Sequence, residues 1–138
     1  MKVIVEKIEG LKLKGKNEKG YEIIMDTRKE VGGFDSAPTP METVLMALGG
    51  CTAMDVISIL SKMRVEYDYF GIEIEGKRRQ EHPKVFEEIK LKYIFKGENL
   101  DISKLQKAIE LSLSKYCSVS NMLNKTAEIS YNIEIKNG

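Results

Sequence analysis

Apolar residues alternate with polar ones near the N-terminus. Val3 and Val5 stand two apart between Lys2 and Glu6, Leu11 and Leu13 alternate with Lys12 and Lys14, and Tyr21, Ile23 and Met25 resume the pattern after a polar turn over 15–20. A period of two predicts a meander of two or three strands. Residues 27–38 break it, because Gly32, Gly33 and Pro38 interrupt regular structure. A loop of that length in a compact domain is often functional.

The period then changes. Thr39 is a good N-cap, Pro40 suits the first helical position, and Glu42 stands three residues after the cap. This capping-box spacing predicts a helix from Thr39 to about Met63 or Arg64. Val44, Leu45, Ala47, Leu48, Cys51, Met54, Ile57, Ile59 and Leu60 make it apolar on most of its circumference, so neighbours are expected to bury it on several sides. Met41, Met46 and Met54 read as core filler. Gly49 and Gly50 weaken the helix unless another backbone, such as that of a second subunit, approaches there.

A hairpin follows. Phe70, Ile72 and Ile74 form one alternating run, and Ile89, Leu91, Tyr93 and Phe95 another, joined by a turn over 77–84. One face should be buried and one wet. A second helix is predicted from about Asp101 to Lys115, with Ile102, Leu105, Ile109 and Leu113 as its stripe. Ala127, Ile129, Tyr131, Ile133 and Ile135 alternate in a last strand. Strands, helix, hairpin, helix and strand in that order predict an α+β fold, with antiparallel sheets packed on a long central helix and a second helix.

The chain has 138 residues, 42% of them hydrophobic, which reads as one domain over 1–138 with a single core. Charged residues are 31% and nearly balanced, for a net charge of +1. Such a surface argues against nucleic acid or an anionic membrane as partner. Lys77, Arg78 and Arg79 read as a solvated turn. Residues 1–5 have no signal-like apolar region, and the uncharged run 43–54, broken by Gly49 and Gly50, is too short to span a bilayer. The expected location is therefore the cytoplasm. There, two cysteines do not read as a structural disulfide. With no paired Cys-x-x-Cys motif, and with His82 placed in a turn, no metal and no cofactor is expected.

Cys51 lies mid-helix and Cys117 just past the second helix, at a place expected to be more open to solvent. A reactive cysteine is a thiolate and needs a nearby cation. Arg28, Arg64, Lys12, Lys14 and Lys115 are the candidates, and the sequence does not choose among them. Glu42 either completes the capping box or orients a cation or substrate. Asp55, one turn after Cys51, would raise a thiol pKa, so it reads as a structural or dimer contact.

The segment Pro38-Thr39-Pro40-Met41-Glu42-Thr43-Val44-Leu45-Met46-Ala47-Leu48-Gly49-Gly50-Cys51 resembles the first-cysteine helix of the OsmC/Ohr family, in its YhfA-like branch. Leu113-Ser114-Lys115-Tyr116-Cys117-Ser118-Val119-Ser120 resembles the second-cysteine segment, and His82-Pro83-Lys84-Val85-Phe86-Glu87-Glu88-Ile89 the hairpin turn. The resemblance implies an OsmC-like fold and an intertwined homodimer with sites at the subunit interface. It implies that Cys51 attacks an organic hydroperoxide or peroxide and that Cys117 resolves the resulting sulfenic acid as a disulfide. A dithiol, such as a protein-bound lipoyl group, would then reduce that disulfide.

The family's peroxidases carry Pro-Glu at the helix start. Here Met41 holds that glutamate's position and the acid, Glu42, comes one residue later, rotated by roughly 100°. The family's activating arginine lies near the first strands, where this chain has Lys7, Lys12 and Lys14. Arg28 or a lysine would have to substitute. A non-catalytic redox, carrier or small-ligand-binding protein of the same fold is the alternative reading.

Overall fold

The computed structural model describes residues 1–137. The chain divides into two compact units, one ending at Val44 and one starting at Leu45.

The first unit is a meander. Strands β1 (Val3–Glu9), β2 (Lys12–Asn17) and β3 (Glu22–Met25) pair antiparallel in that order. Gly10 turns β1 into β2 with a φ of +54°, in the left-handed region where glycine is unstrained. Asn17 closes the next turn, its Oδ1 accepting the N–H groups of Lys19 and Tyr21, both at 3.0 Å. Val5, Gly15 and Ile23 stand opposite one another. Val3, Val5, Tyr21 and Ile23 are left exposed.

Asp26 builds the loop that follows. Its carboxylate is buried and accepts from the backbone N–H groups of Thr27 (2.7 Å), Phe34 (3.1 Å) and Ser36 (3.2 Å), and from Ser36 Oγ at 2.7 Å. Burial pushes the carboxyl up, but the Ser36 hydroxyl and these backbone donors outweigh it and hold the pKa at about 2. A pKa lowered on folding contributes stability that is present above the unfolded value. It is lost as the pH falls from about 4 toward 2. Asp26→Ala is therefore expected to lower the melting midpoint by about 5–10 °C at pH 7. The loss should shrink as the pH falls toward 2. Thermal melts of both proteins across that range check this, and a constant difference would contradict it.

Helix α1 (Pro40–Lys62) starts in the first unit and runs into the second. The capping box forms: Glu42 N–H donates to Thr39 Oγ1 at 3.2 Å, and Thr39 N–H donates to Glu42 Oε1 at 2.9 Å. Only one stripe of α1 is buried, Leu48, Thr52, Val56 and Leu60 at four-residue spacing together with Gly49. Within one chain α1 is thus covered along one stripe and not on several sides. Met46 and Met54 are exposed, so neither is core filler within the chain. At Gly49 a Cβ would meet Ile74 Cδ1 at 2.5 Å, so the close neighbour is a side chain of the same chain; around Gly50 there is open space. By length and composition alone α1 could cross a membrane, with a mean hydropathy of 1.8 over its most apolar 18 residues, contrary to the estimate from its short uncharged run. Its buried stripe is that of a core helix.

The second unit continues with β4 (Tyr69–Arg78), β5 (Phe86–Lys96), α2 (Ile102–Leu111), a π-turn (Ser112–Tyr116), α3 (Ser118–Leu123) and β6 (Glu128–Lys136). The sheet order is β4-β5-β6. The hairpin β4–β5 is antiparallel, as expected, but β6 runs parallel to β5, with Glu88 opposite Glu128 and Lys96 opposite Lys136. The helical crossover returns the chain to the end where β5 began, which imposes the parallel sense. Ile89, Leu91, Tyr93 and Phe95 of β5 are buried with Leu105, Ala108 and Ile109 of α2. Phe70 stacks on Phe95 at 4.7 Å between ring centroids, and Tyr131 meets Tyr93 edge-on at 5.9 Å. The basic run ends β4: Lys77 pairs with Glu87 and Arg78 Nε donates to Lys84 O.

Candidate active site

Cys51 sits in α1, half-buried, between Gly50 and Thr52. Cys117 is reached by a different route. The chain leaves α2 through the π-turn, where the Cys117 N–H donates to Ser112 O at 2.7 Å. Cys117 then caps α3, its Sγ accepting the Ser120 N–H at 3.4 Å. Its carbonyl accepts from Asn121 Nδ2 at 2.8 Å and from Ser120 Oγ at 3.0 Å. The result is a fully buried residue, against the expectation of an open one. A π-turn places an extra residue in its loop and so turns inward a position that a plain helix end would leave outside.

Both cysteines are free thiols, and the fold makes them neighbours. Burial pushes the Cys117 thiol above its ordinary pKa, the side chain and N–H of Ser120 oppose this, and the adjacent Cys51 side chain raises it further. Cys117 is thus held as a thiol near neutral pH, and Cys51 is the more accessible of the two. A pair so divided suits a nucleophile followed by a second thiol.

A chain of hydroxyls lies against this pair. Tyr93 Oη and Thr52 Oγ1 are 2.8 Å apart, Thr52 Oγ1 and Ser112 Oγ are 2.8 Å apart, and Ser112 Oγ donates to Asp55 Oδ2 at 2.9 Å. Tyr93, Thr52 and Ser112 are buried. Burial pushes the Tyr93 phenol well above its ordinary range, Thr52 opposes this, and Cys117, Tyr131 and Asp55 add to it through their charges. Sequence reasoning assigned Asp55 a structural contact, in keeping with its bond to Ser112, and missed Tyr93, Thr52 and Ser112. The available signal was a polar group in the buried phase of an apolar stripe. Thr52 sits between Leu48 and Val56, and Ser112 extends the stripe of Leu105, Ala108 and Ile109.

Arg28 is exposed in the first unit and opens a single 3-10 turn, Lys29–Val31, its carbonyl accepting the N–H groups of Val31 and Gly33. Glu42 is exposed and engaged in the capping box. Lys12 and Lys14 lie on β2, where Lys14 pairs with Glu22 at 3.4 Å. Lys115 Nζ lies 5.2 Å from the Tyr116 ring centroid. Arg64 borders an open cleft with Ile57, Ser61, Tyr67, Asp68 and Glu98, and neither cysteine lines that cleft.

The family model for OsmC-like proteins matches residues 33–132. Protein YhfA of Escherichia coli K12 is 40% identical over 135 residues, covering 98% of each chain. A hypothetical protein from Aquifex aeolicus VF5 has a TM-score of 0.81 at 34% identity, over 98% of this chain and 96% of that one. An organic hydroperoxide resistance protein from Elizabethkingia anophelis shares the fold, with a TM-score of 0.74 at 17% identity over 97% and 94% of the two chains. With its cysteine segments inside the matched span and a relative similar from end to end, the protein belongs to the OsmC-like family.

Proposed function

We propose that the protein is a thiol-dependent peroxidase acting on organic hydroperoxides. The observation that carries this reading is the juxtaposition of two free cysteines, one accessible and one buried and held as a thiol. The Cys51 thiolate attacks the distal peroxide oxygen, the O–O bond breaks, and the alkoxide leaves as alcohol after taking a proton. Cys51 is then a sulfenic acid. The Cys117 thiol attacks that sulfur, forming a disulfide and releasing water. A dithiol, such as a lipoyl group on a partner protein, exchanges with the disulfide and restores both thiols. The family assignment supports this reading, as do relatives of the same fold that are named for organic hydroperoxide resistance.

The second subunit belongs to the same proposal. Ala47, Gly50, Met54, Ile57 and Ser61 lie on exposed positions of α1 at spacings of three and four residues. A stripe of that period is the seam of a helix–helix contact, and we assign it to a second copy of this chain.

One observation favours the alternative reading. Glu42, the acid near the position of the family's glutamate, is engaged with Thr39. In that reading the pair serves a carrier or small-ligand-binding role without turnover. The separating experiment mixes reduced protein with cumene hydroperoxide and follows the peroxide. Consumption should exceed that of a free thiol and fall on the order of 100-fold or more in Cys51→Ser. A rate no faster than a free thiol would sink the peroxidase reading and leave the carrier.

A further inference from the structure

We propose that the hydrogen-bonded chain Tyr93–Thr52–Ser112–Asp55 is a positioning device that holds Cys117 in register with Cys51. The inference rests on the reading of the two cysteines as a pair that closes a disulfide.

The order of donors in the chain follows from counting protons. Ser112 Oγ donates its one proton to Asp55 Oδ2, and a carboxylate can only accept. The Ser112 oxygen must then accept from Thr52, which spends the Thr52 proton. Thr52 Oγ1 must in turn accept from Tyr93. Every hydroxyl donates once in one direction, from the sheet to the helix carboxylate. Among the described residues no buried side-chain nitrogen or oxygen lacks a partner. A network in this state has a single arrangement, and removing one member leaves another unpaired in a buried place.

Its members are placed where they fix the sulfurs. Thr52 follows Cys51 directly and Asp55 lies one helical turn beyond it, so α1 contributes two anchors beside the nucleophile. Ser112 opens the π-turn and is tied twice: its side chain to those anchors, and its carbonyl to the Cys117 N–H at 2.7 Å. A π-turn is less regular than an α-helix, so an external tie must set its position. Tyr93 anchors the chain to the central strand, where its ring is locked between Phe70 and Tyr131. Disulfide closure tolerates only a narrow geometry, and a misplacement of about 1 Å can cost two orders of magnitude in an intramolecular step.

The test uses glutathione and no peroxide. Protein dithiol and oxidised glutathione exchange to give protein disulfide and two reduced glutathiones, so atoms and electrons balance. The equilibrium constant is read by trapping free thiols in the folded protein at 25 °C. Ser112→Ala and Thr52→Val are expected to lower it about tenfold, about 30 mV in potential. Tyr93→Phe should move it in the same direction. Asp55→Asn keeps an amide oxygen to accept from Ser112 and should stay within about twofold of the wild type. A merely structural network would lower the melting midpoints of both redox forms alike and leave the constant unchanged in every variant. That result overturns the inference, as does a wild type that forms no Cys51–Cys117 disulfide. A protein that consumes no hydroperoxide but shows these shifts would lose the peroxidase reading and keep this one.

Discussion

Cys117→Ser is expected to keep a stoichiometric burst of peroxide consumption and to lose nearly all steady-state turnover. In the proposed mechanism attack on the peroxide needs only Cys51, which is the more accessible of the two cysteines and stays in place on α1. The step that fails is resolution. A serine hydroxyl cannot attack a sulfenic acid to make a stable link, so the oxidised Cys51 persists and excess peroxide carries it to the sulfinic acid. Steady-state consumption driven by dihydrolipoamide should fall on the order of 100-fold, while a stoichiometric pulse still consumes about one peroxide per chain. Trapping with a sulfenic-acid reagent should label oxidised Cys51 in the variant and little in the wild type. The substitution replaces a buried sulfur that accepts the Ser120 N–H, so the serine oxygen can take over that bond and the fold should survive. Undiminished turnover in Cys117→Ser would mean that the dithiol reduces the sulfenic acid directly, and Cys117 would lose its role.

The parts of this molecule readable in advance are those fixed by local chemistry. Thr39, Pro40 and Glu42 set the start of α1 because a capping box is satisfied within four residues, and both of its hydrogen bonds form. The strands were readable from a period of two, which survives whatever packs on them. The sense of β6 was not. Alternating Ile129, Tyr131, Ile133 and Ile135 read the same whether β5 runs parallel or antiparallel beside them, and only the path of the crossover decides. Helix α3 was missed because Ser118–Leu123 is too short to display a helical period.

The site divides along the same line. Neither cysteine was informative alone, and spacing could not bring them together; the resemblance of the two segments to one family did. The burial of Cys117 depends on a π-turn, which has no residue signature comparable to a cap. The hydroxyl chain draws on α1, β5 and the π-turn, so it exists only once tertiary packing has aligned Thr52, Tyr93 and Ser112. What α1 presents outward was not legible for a related reason. A helix apolar on most sides needs neighbours on several sides, and the period alone does not say which of them come from the same chain: Met54 is 75% exposed and Ile57 46% exposed.

Those two exposed residues lie at the middle of the stripe assigned to a second copy of the chain. The double substitution Met54→Lys with Ile57→Lys is expected to convert the proposed dimer into a monomer. Burying each apolar side chain contributes about 1.5–3 kcal/mol, and in a two-fold interface every residue counts twice. Four lysines brought to one helix seam also repel and lose hydration. Together these effects should weaken association by at least about a thousandfold. Ala47 and Gly50 lie on the same stripe, and the open space around Gly50 leaves room for a partner backbone to approach. Sedimentation of both proteins at micromolar concentration decides the matter: two chains per particle for the wild type and one for the variant. A monomeric wild type, or a variant that stays dimeric, would remove α1 from the interface. In a monomer, lysines on an exposed helix face would meet only water. The same substitution would then change little except solubility, so a large effect is specific to a covered stripe.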